Sequence, residues 1–244
     1  MQETENNSRQ PRRGIGWGWL ALLIILAGLV AIALYQSWIR IPPNWQPWGP
    51  VVLDAPPSWF ARYQINGLAA DPQACYAALD RSELSWRQLS ERPISNGCGL
   101  EAGARITRSH VPWSGSFDTT CAMTAALYWW EADLQALARL HLGSELVRID
   151  HLGSYACRNV NSAQSGRRSQ HATANAIDIA GFRLADGRTV SVLRDWGADT
   201  PDGRFLAAAH EAACDLFNTV LGPEYNSLHA NHFHLDLGRS RICR

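Results

Sequence analysis

Lysine is absent from this chain of 244 residues, and all 22 of its basic side chains are arginines. Mechanisms that need a lysine amine, such as Ser-x-x-Lys chemistry, are therefore excluded. The formal net charge is zero, so the composition gives no sign of a basic surface for nucleic acid, and we expect no such partner. No Cys-x-x-Cys pair is present either, which excludes the usual zinc sites built on such pairs.

Charge is also absent from one long apolar segment near the N-terminus, residues 17–39. A helix of this length can cross a hydrocarbon core of roughly 30 Å. Tryptophan and tyrosine at its two ends are typical of membrane interfaces. A cleavable signal peptide is the alternative, but its apolar region is normally shorter and ends in small residues. We therefore predict an uncleaved transmembrane helix.

Basic residues on either side of this segment predict its orientation. Arg9, Arg12 and Arg13 precede it, whereas only Arg40 follows it closely. Because the side richer in positive charge stays in the cytoplasm, residues 1–16 are predicted to be a cytoplasmic tail and the rest to be exported.

The next segment is rich in proline, with six prolines between Ile41 and Pro57. Such a composition favours an extended, semi-rigid backbone. We therefore predict a linker over residues 40–57. The remainder, residues 58–244, has the size of one domain with a substantial core.

All six cysteines lie on the predicted exported side of the chain. An even number there indicates disulfides formed in an oxidising compartment, although a cysteine nucleophile stays open as an alternative. Among the possible pairings we expect Cys75–Cys98, Cys121–Cys157 and Cys214–Cys243.

Hydrophobic periodicity predicts an α+β domain in which helices cover one side of a small antiparallel sheet. Helices are predicted over Asp71–Ser82 with Asp71 as N-cap, and from an N-cap at Asp118 or Thr119 to about Leu142, with Gly143 ending the helix. A third helix is predicted over Gly203–Leu221. Strands are predicted over Leu146–Cys157, Ala176–Leu184, Thr189–Leu193 and His232–Leu237. Asp186-Gly187 is a hairpin signal between the second and third strands. Trp129 and Trp130 are predicted to pack in the core.

Four of the eight histidines fall in two short polar stretches, around His171 and over His229–His234. In a strand, residues two apart share a face, so His232, His234 and Asp236 are expected to point into one cavity. Asp178, in a neighbouring predicted strand, can meet His234 there, and His171 can approach from the preceding loop. Two imidazoles and a carboxylate are typical zinc ligands. The alternative is a set of surface histidines in a polar loop.

These stretches also carry a resemblance to known families. The pattern Ser169-x-His171-x-x-Ala174-x-Ala176-x-Asp178, followed by His232-x-His234, resembles the signature of the zinc D-Ala-D-Ala and lysostaphin-type metallopeptidases. The spacing His229-x-x-His232-x-His234 is similar to that of penicillin-insensitive murein endopeptidases. The segments 154–158, 176–182 and 220–226 resemble the bacterial extensin-like C-terminal domain family, over Asp71 to Cys243.

The resemblance implies a role for each matching residue. His171, Asp178 and His234 would bind zinc, and His232 would act as catalytic acid/base or stabilise the transition state. The remaining implied roles are support of His232 by His229 and substrate contact by Arg158 and Ser169. The shared strand face, independently of the resemblance, predicts that Asp236 orients a histidine through its second ring nitrogen. Arg158 could alternatively be an ordinary ion-pair partner.

One residue departs from the peptidase pattern, because Ala174 stands where that pattern has glycine. If the backbone there has positive φ, alanine introduces strain that can shift His171.

Together these features predict a single-pass protein of the cytoplasmic membrane with a periplasmic, metallopeptidase-like domain. The expected cofactor is zinc, and the expected substrate is the peptide part of peptidoglycan, cleaved in the manner of an endopeptidase or carboxypeptidase. Two alternatives remain open: a non-catalytic wall-binding module that keeps the cleft, and a structural protein whose histidines bind metal or line an interface.

Overall fold

A computed structural model describes residues 17–36, 38 and 41–244 of the chain. Within these residues the helices are α1 (Trp17–Tyr35), α2 (Ala61–Ala70), α3 (Pro72–Asp80), α4 (Cys121–Leu142), α5 (Val192–Asp195) and α6 (Pro201–Leu216). The strands are β1 (Ser85–Gln88), β2 (Arg92–Ser95), β3 (Cys98–Leu100), β4 (Gly103–Arg108), β5 (Thr119–Thr120), β6 (Leu146–Gly153), β7 (Ala176–Leu184), β8 (Thr189–Ser191), β9 (Thr219–Leu221), β10 (Phe233–Asp236) and β11 (Ile242–Cys243). The architecture is α+β, as predicted.

Helix α1 is formed by the apolar N-terminal segment. It is long and apolar enough to cross a membrane, a property that a signal sequence near an N-terminus shares. The predicted tail, residues 1–16, lies outside the described residues. So do residues 37, 39 and 40, at the end of the predicted span and the start of the predicted linker.

The compact folded unit begins at Pro43 rather than at Ser58. Val51 and Leu53 are buried in its core, since their exposed fractions are 7% and 4%. The Asn44 side chain is also buried, and its amide donates to the carbonyls of Val52 and Ala55 at 2.8 and 3.1 Å. From residue 43 on, the segment predicted as a linker therefore packs onto the domain, because apolar and amide side chains between its prolines find partners there.

Helix caps explain where α3 and α4 begin. As predicted, Asp71 caps α3 by accepting from the backbone N–H groups of residues 73 and 74. The cap of α4 is Thr120, whose Oγ1 accepts from Met123 N at 3.3 Å, so the prediction of Asp118 or Thr119 was wrong. Asp118 instead pairs with Arg105, and Thr119 donates to the Ala174 carbonyl at 2.9 Å. Gly143 ends α4 in the left-handed conformation, as predicted.

Helix α6 ends at Leu216, earlier than the predicted Leu221. The hydrophobic residues that follow form β9, whose Val220 pairs with Leu235 of β10. A short buried strand and a buried helical turn have similar composition, which explains the error. Three predicted strands are also shorter than expected. Strand β6 ends at Gly153, β8 is followed directly by α5, and β10 covers only Phe233–Asp236.

The largest sheet has six strands, in the order β11-β9-β10-β7-β6, with β8 also paired to β7. Its pairings are antiparallel except for β9 with β11, and β7 and β8 form the predicted hairpin. Two helices cover it through aromatic contacts: Trp130 of α4 and Phe205 of α6 both pack against Phe182 of β7, with centroid distances of 6.1 and 5.1 Å. Trp129 and Trp130 are buried, as predicted.

All six cysteines are paired in three disulfides, Cys75–Cys121, Cys98–Cys157 and Cys214–Cys243. The third was predicted correctly, but Cys75–Cys98 and Cys121–Cys157 were wrong. Cys75 belongs to α3, which packs against the start of α4 where Cys121 lies. Cys98 belongs to the β2–β3 hairpin, which contacts the segment containing Cys157. These long-range contacts decide the pairing.

Candidate metal centre

Strand register brings two of the predicted ligands side by side. Asp178 of β7 pairs directly with His234 of β10. Because side chains alternate along a strand, Phe233 turns into the core, where its ring lies 5.3 Å from those of Trp196 and His210. His234 and Asp236 point to the opposite face and into a cleft.

The third predicted ligand, His171, comes from a single turn of 3-10 helix over Gln170–Thr173. Ser169 caps this turn, because its hydroxyl accepts from His171 N at 3.3 Å. Ala174 ends the turn at φ 52°, in the left-handed region that favours glycine. The positive φ considered from the sequence is therefore present, and the His171 ring nevertheless lies within the cluster.

Three potential ligand atoms form a nearly equilateral triangle. His171 Nε2 lies 3.1 Å from His234 Nδ1, and Asp178 Oδ1 lies 3.0 Å from His234 Nδ1. The third edge, from His171 Nε2 to Asp178 Oδ1, is 3.2 Å. The exposed fractions of these residues are between 3% and 9%. The predicted ligand set is thus assembled in one buried cluster.

The second nitrogen of each of these two histidines has its own partner. His171 Nδ1 lies 2.7 Å from the Ser154 carbonyl, and His234 Nε2 lies 3.0 Å from Asp236 Oδ2. Since both partners are acceptors, these nitrogens carry protons, which leaves His171 Nε2 and His234 Nδ1 as the nitrogens that could bind a metal ion. Asp236 itself is held by Gly238 N at 2.7 Å. Such outer partners fix the tautomer and direction of metal-binding histidines.

Electrostatics of the cluster favour bound positive charge. Burial alone would raise the pKa of Asp178, but hydrogen bonds and charge from His171 and His234 hold it well below its usual range. Burial lowers the pKa of His234, yet hydrogen bonds to Asp178 and Asp236 raise it overall to about 9. A proton on His234 would thus neutralise part of the carboxylate charge, as a metal ion bound at the same place would.

The two other histidines stand beside this cluster. His232 precedes β10, and its Nε2 lies 3.6 Å from Asp178 Oδ1. Its Nδ1 lies 2.8 Å from Asn231 Oδ1, so the tautomer that donates to Asn231 leaves the Nε2 lone pair free. Burial lowers the pKa of His232 and, with nearby histidines, lowers that of His229 to about 4. Both rings are therefore neutral near pH 7.

His229 packs beside His232 and is held there by a hydrogen bond to Asn226. Its Nδ1 lies 2.8 Å from Asn226 Oδ1, and its ring centroid lies 5.2 Å from that of His232. Asn226 also caps the short turn over Ser227–His229. The pattern His229-x-x-His232-x-His234 thus places three rings close together. His234 is a candidate ligand, His232 has an unprotonated Nε2, and His229 packs beside His232.

Arg158 reaches the same cluster from another loop. Its Nη2 lies 3.8 Å from Asp178 Oδ2, and its Nη1 donates to Ser162 Oγ at 3.1 Å. Asn161 and Ser162 both have positive φ, 56° and 55°, which is unusual for consecutive residues other than glycine. Cys157, directly before Arg158, is tied to Cys98 by a disulfide. Arg158 is therefore an ion-pair partner of Asp178, and a disulfide anchors the residue directly before it.

The cluster lies at the bottom of a cleft of about 330 Å³. Within the part of the chain that the structure describes, the cleft is lined by four arginines, Arg158, Arg167, Arg168 and Arg239. The carboxylates that line it, Asp178 and Asp236, are both bonded to histidines. The cleft is therefore suited to a ligand that carries negative charge.

Three polar residues of the site were given no role from the sequence: Ser154, Asn226 and Asn231. Asn226 precedes a short turn, and the N-cap preference of asparagine was the signal that could have identified it. Ser154 acts through its backbone carbonyl, which leaves no sequence signal. Asn231 gives only the weak signal of a polar side chain between histidines.

A second group of potential ligand residues, His210, Cys214 and Cys243, also lies close together. Both sulfurs belong to one disulfide, and a disulfide offers no thiolate. This group is not a metal site in the oxidised protein.

The chain matches one protein family, described as "Extensin-like protein C-terminus", over residues 73–244. Comparison with curated proteins and with solved structures gives no match.

Proposed function

The chain belongs to the extensin-like C-terminal family, and we propose that it is a membrane-anchored, zinc-dependent peptidase that hydrolyses amide bonds in peptidoglycan peptides. The observation that supports this most strongly is the buried triangle of His171 Nε2, Asp178 Oδ1 and His234 Nδ1 at the bottom of an open cleft.

The triangle has the dimensions of one face of a zinc site. Zinc is bound by nitrogen and oxygen at about 2.0–2.1 Å, so two ligands of a tetrahedral ion are about 3.3–3.4 Å apart. The edges here are 3.0–3.2 Å, only slightly shorter. Three protein ligands leave the fourth position free, as catalytic zinc sites do. Tautomers fixed by Ser154 and Asp236 support the same assignment.

Zinc bound there would polarise a substrate carbonyl and lower the pKa of a water molecule to about 7. Among the chain's own groups, neutral His232 has the free Nε2 needed to accept a proton beside the cluster. His229 keeps His232 in position. Arg158, half exposed and directed into the cleft, can hold a carboxylate or the developing oxyanion.

The charge of the cleft supports a peptide substrate with free carboxylates. Four arginines line it, whereas its two carboxylates are already bonded to histidines. Peptides of the bacterial wall end in carboxyl groups, and bidentate arginine contacts suit such groups. We propose that Ser169, which also lines the cleft, contributes a further polar contact.

The predicted location of the domain outside the cytoplasmic membrane supports the same substrate. An uncleaved α1 with its arginine-rich end in the cytoplasm would place residues 43–244 on the outer side of the cytoplasmic membrane. Three disulfides are consistent with that oxidising compartment. The wall polymer is then within reach of the anchored domain.

The test uses the full chain, purified in detergent without a histidine tag and loaded with zinc. We expect one zinc ion per chain, and release of soluble peptide-containing fragments from purified peptidoglycan, measured by mass spectrometry. His171→Ala, Asp178→Ala and His234→Ala should each lower zinc content and abolish release. His141→Ala, a histidine at the end of α4 and outside the cleft, is the matched control and should retain both.

Unchanged zinc content in all three variants would contradict the site. A folded, zinc-loaded chain that releases nothing from any of several wall preparations would contradict the enzyme, and would favour a wall-binding module with the same cleft.

A further inference from the structure

A second groove lies outside the metal-site cleft. It has a volume of about 780 Å³ and is enclosed by α2, α4, α6 and the segment before β11. We call it the Trp59 groove. Six of the side chains that line it carry the argument: Trp59, Arg62, Tyr63, Asp133, Asp215 and Arg241.

Two aromatic rings at this groove are left open to solvent. Trp59 is 79% exposed and Tyr63 is 67% exposed, although Trp129 and Trp130 of the same domain are fully buried. A broad apolar ring face that is exposed beside a groove is buried best by a flat ligand that packs on the ring and carries polar groups at its edges.

The polar groups of the groove have unused hydrogen-bonding capacity. Within the described residues, the side chains of Asp133, Asp215 and Arg241 form no hydrogen bond or ion pair; Asp133 is half-buried, whereas Asp215 and Arg241 are exposed. Arg62 is held by the domain itself, since its Nη2 donates to the Cys214 carbonyl. Burial raises the pKa of Asp133 to about 6, and the charge of Asp215 adds to this effect. The half-buried Asp133 carboxylate therefore gains most from a ligand that donates to it, and the exposed Asp215 and Arg241 can bond to the same ligand.

The charges in the groove balance, since two aspartates face two arginines. A strongly anionic ligand would meet the carboxylates, and a cationic ligand would meet the guanidinium groups. An anionic lipid surface is disfavoured for the first reason. A neutral ligand rich in both donors and acceptors can bond to Asp133, Asp215 and Arg241 at once, and a sugar also presents an apolar ring face to tryptophan.

We propose that the Trp59 groove binds a glycan chain of uncharged, N-acetylated sugars, with one sugar ring stacked on Trp59 and its polar edges bonded to Asp133, Asp215 and Arg241. That this glycan is the sugar strand of peptidoglycan rests on the proposed function. The binding chemistry itself does not depend on hydrolysis.

Topology supports a single polymer that reaches both sites. One short segment separates them: Arg239, Ser240 and Ile242 line the metal-site cleft, whereas Arg241 lines the Trp59 groove. Asn218 and Thr219 divide in the same way, with Asn218 in the groove and Thr219 in the cleft. A glycan strand held in the groove therefore lies across this segment from the cleft, where a peptide branching from it would be cleaved.

The experiment measures binding of a peptide-free β-1,4-linked tetramer of N-acetylglucosamine to the full chain. The chain is kept in an amine-oxide detergent, which has no sugar headgroup to compete. Calorimetric titration is done with and without EDTA. We expect saturable binding that EDTA leaves unchanged, and weakening by about tenfold in Trp59→Ala, the loss expected for one aromatic contact. Asp133→Asn should also weaken binding.

Trp48→Ala is the matched control, because Trp48 is 84% exposed but does not line the groove. Equal weakening by Trp48→Ala, unchanged binding by both Trp59→Ala and Asp133→Asn, or no binding by the wild-type chain would overturn the proposal. Binding of monomeric dihexanoyl phosphatidylglycerol that is lost in Trp59→Ala, in place of the sugar, would identify a lipid headgroup instead. No bond is cleaved in this assay, so absence of hydrolysis contradicts only the proposed function.

Discussion

Removal of the Cys98–Cys157 disulfide should impair catalysis more than its effect on stability explains. Cys157 directly precedes Arg158, the arginine that reaches Asp178 from the cleft wall. The proposed metal ligands have contacts of their own, because Asp178 and His234 are held by the β7–β10 ladder. His171 is held by its Nδ1 bond to the Ser154 carbonyl and by the Ser169 cap, in addition to the bond from Ala156 N to its carbonyl. Replacing both cysteines with alanine should therefore loosen the Arg158 loop while the ligand cluster stays assembled.

The stability effect follows from the length of chain that each disulfide closes. The two cysteines are 59 residues apart, which corresponds to about 4.3 kcal/mol of loop-closure entropy at 25 °C. Cys214–Cys243 spans 29 residues, which corresponds to about 3.6 kcal/mol. The two variants should thus lose similar unfolding free energy, and Cys214→Ala/Cys243→Ala is a matched control for general destabilisation.

Activity should separate the two variants. A hydrogen bond to a charged group contributes about 1.5–3 kcal/mol, so misplacing Arg158 should lower kcat/KM by roughly 10- to 100-fold. Zinc content should stay at the wild-type value in both. The assays are denaturant unfolding, metal analysis and release of wall fragments at a temperature where all chains are folded. Equal activities of the two variants, or zinc loss in Cys98→Ala/Cys157→Ala, would refute this account.

Two further predictions concern single side chains. His232→Ala should retain zinc but lose about 10²–10⁴-fold in rate, because it removes the proposed proton acceptor without changing a ligand. Metal analysis and an assay of wall hydrolysis test this prediction. Full activity of the variant would show that His232 is not the proton acceptor. Burial raises the pKa of Glu131 from 4.5 to about 7, although Val111 N and Trp113 Nε1 donate to its carboxylate. Because the folded state then holds this proton more tightly, the unfolding free energy should fall by about 3 kcal/mol as pH rises from about 4.5 to 7. Denaturant titrations across that range should show this component in the wild-type chain but not in Glu131→Gln, and identical pH dependence of the two would contradict it.

Part of the geometry of the ligand cluster followed from local rules. Alternation along a strand put His234 and Asp236 on one face and Phe233 on the other, and it needs only a short window of sequence. The pairing of β7 with β10, which brings Asp178 beside His234, joins residues 56 positions apart and is not a local feature. His171 was expected to lie near Asp178 and His234. The capped 3-10 turn ending at Ala174, which positions the His171 ring, was not predicted, because tertiary contacts determine it.

Features that depend on distant parts of the chain were predicted poorly. The pairing of Cys75 with Cys121 depends on packing of α3 against α4, and no local pattern encodes it. The end of α6 depends on β10, which captures Val220 as a strand partner. Likewise, burial of Val51 and Leu53 depends on a core that the proline-rich composition of their segment does not reveal.

Ala174 shows how tertiary contacts also offset a local conflict. A left-handed alanine is unfavourable by about 1–2 kcal/mol. Here its carbonyl accepts from Thr119 Oγ1 at 2.9 Å and from Thr120 N at 3.1 Å, and its N–H donates to His171 O at 3.1 Å. Its methyl group is fully buried, and losing such a group costs about 0.8 kcal/mol. Glycine would relieve the strain but forfeit that burial and gain freedom in the unfolded chain. These terms nearly cancel, so alanine at this position is compatible with a correctly placed His171.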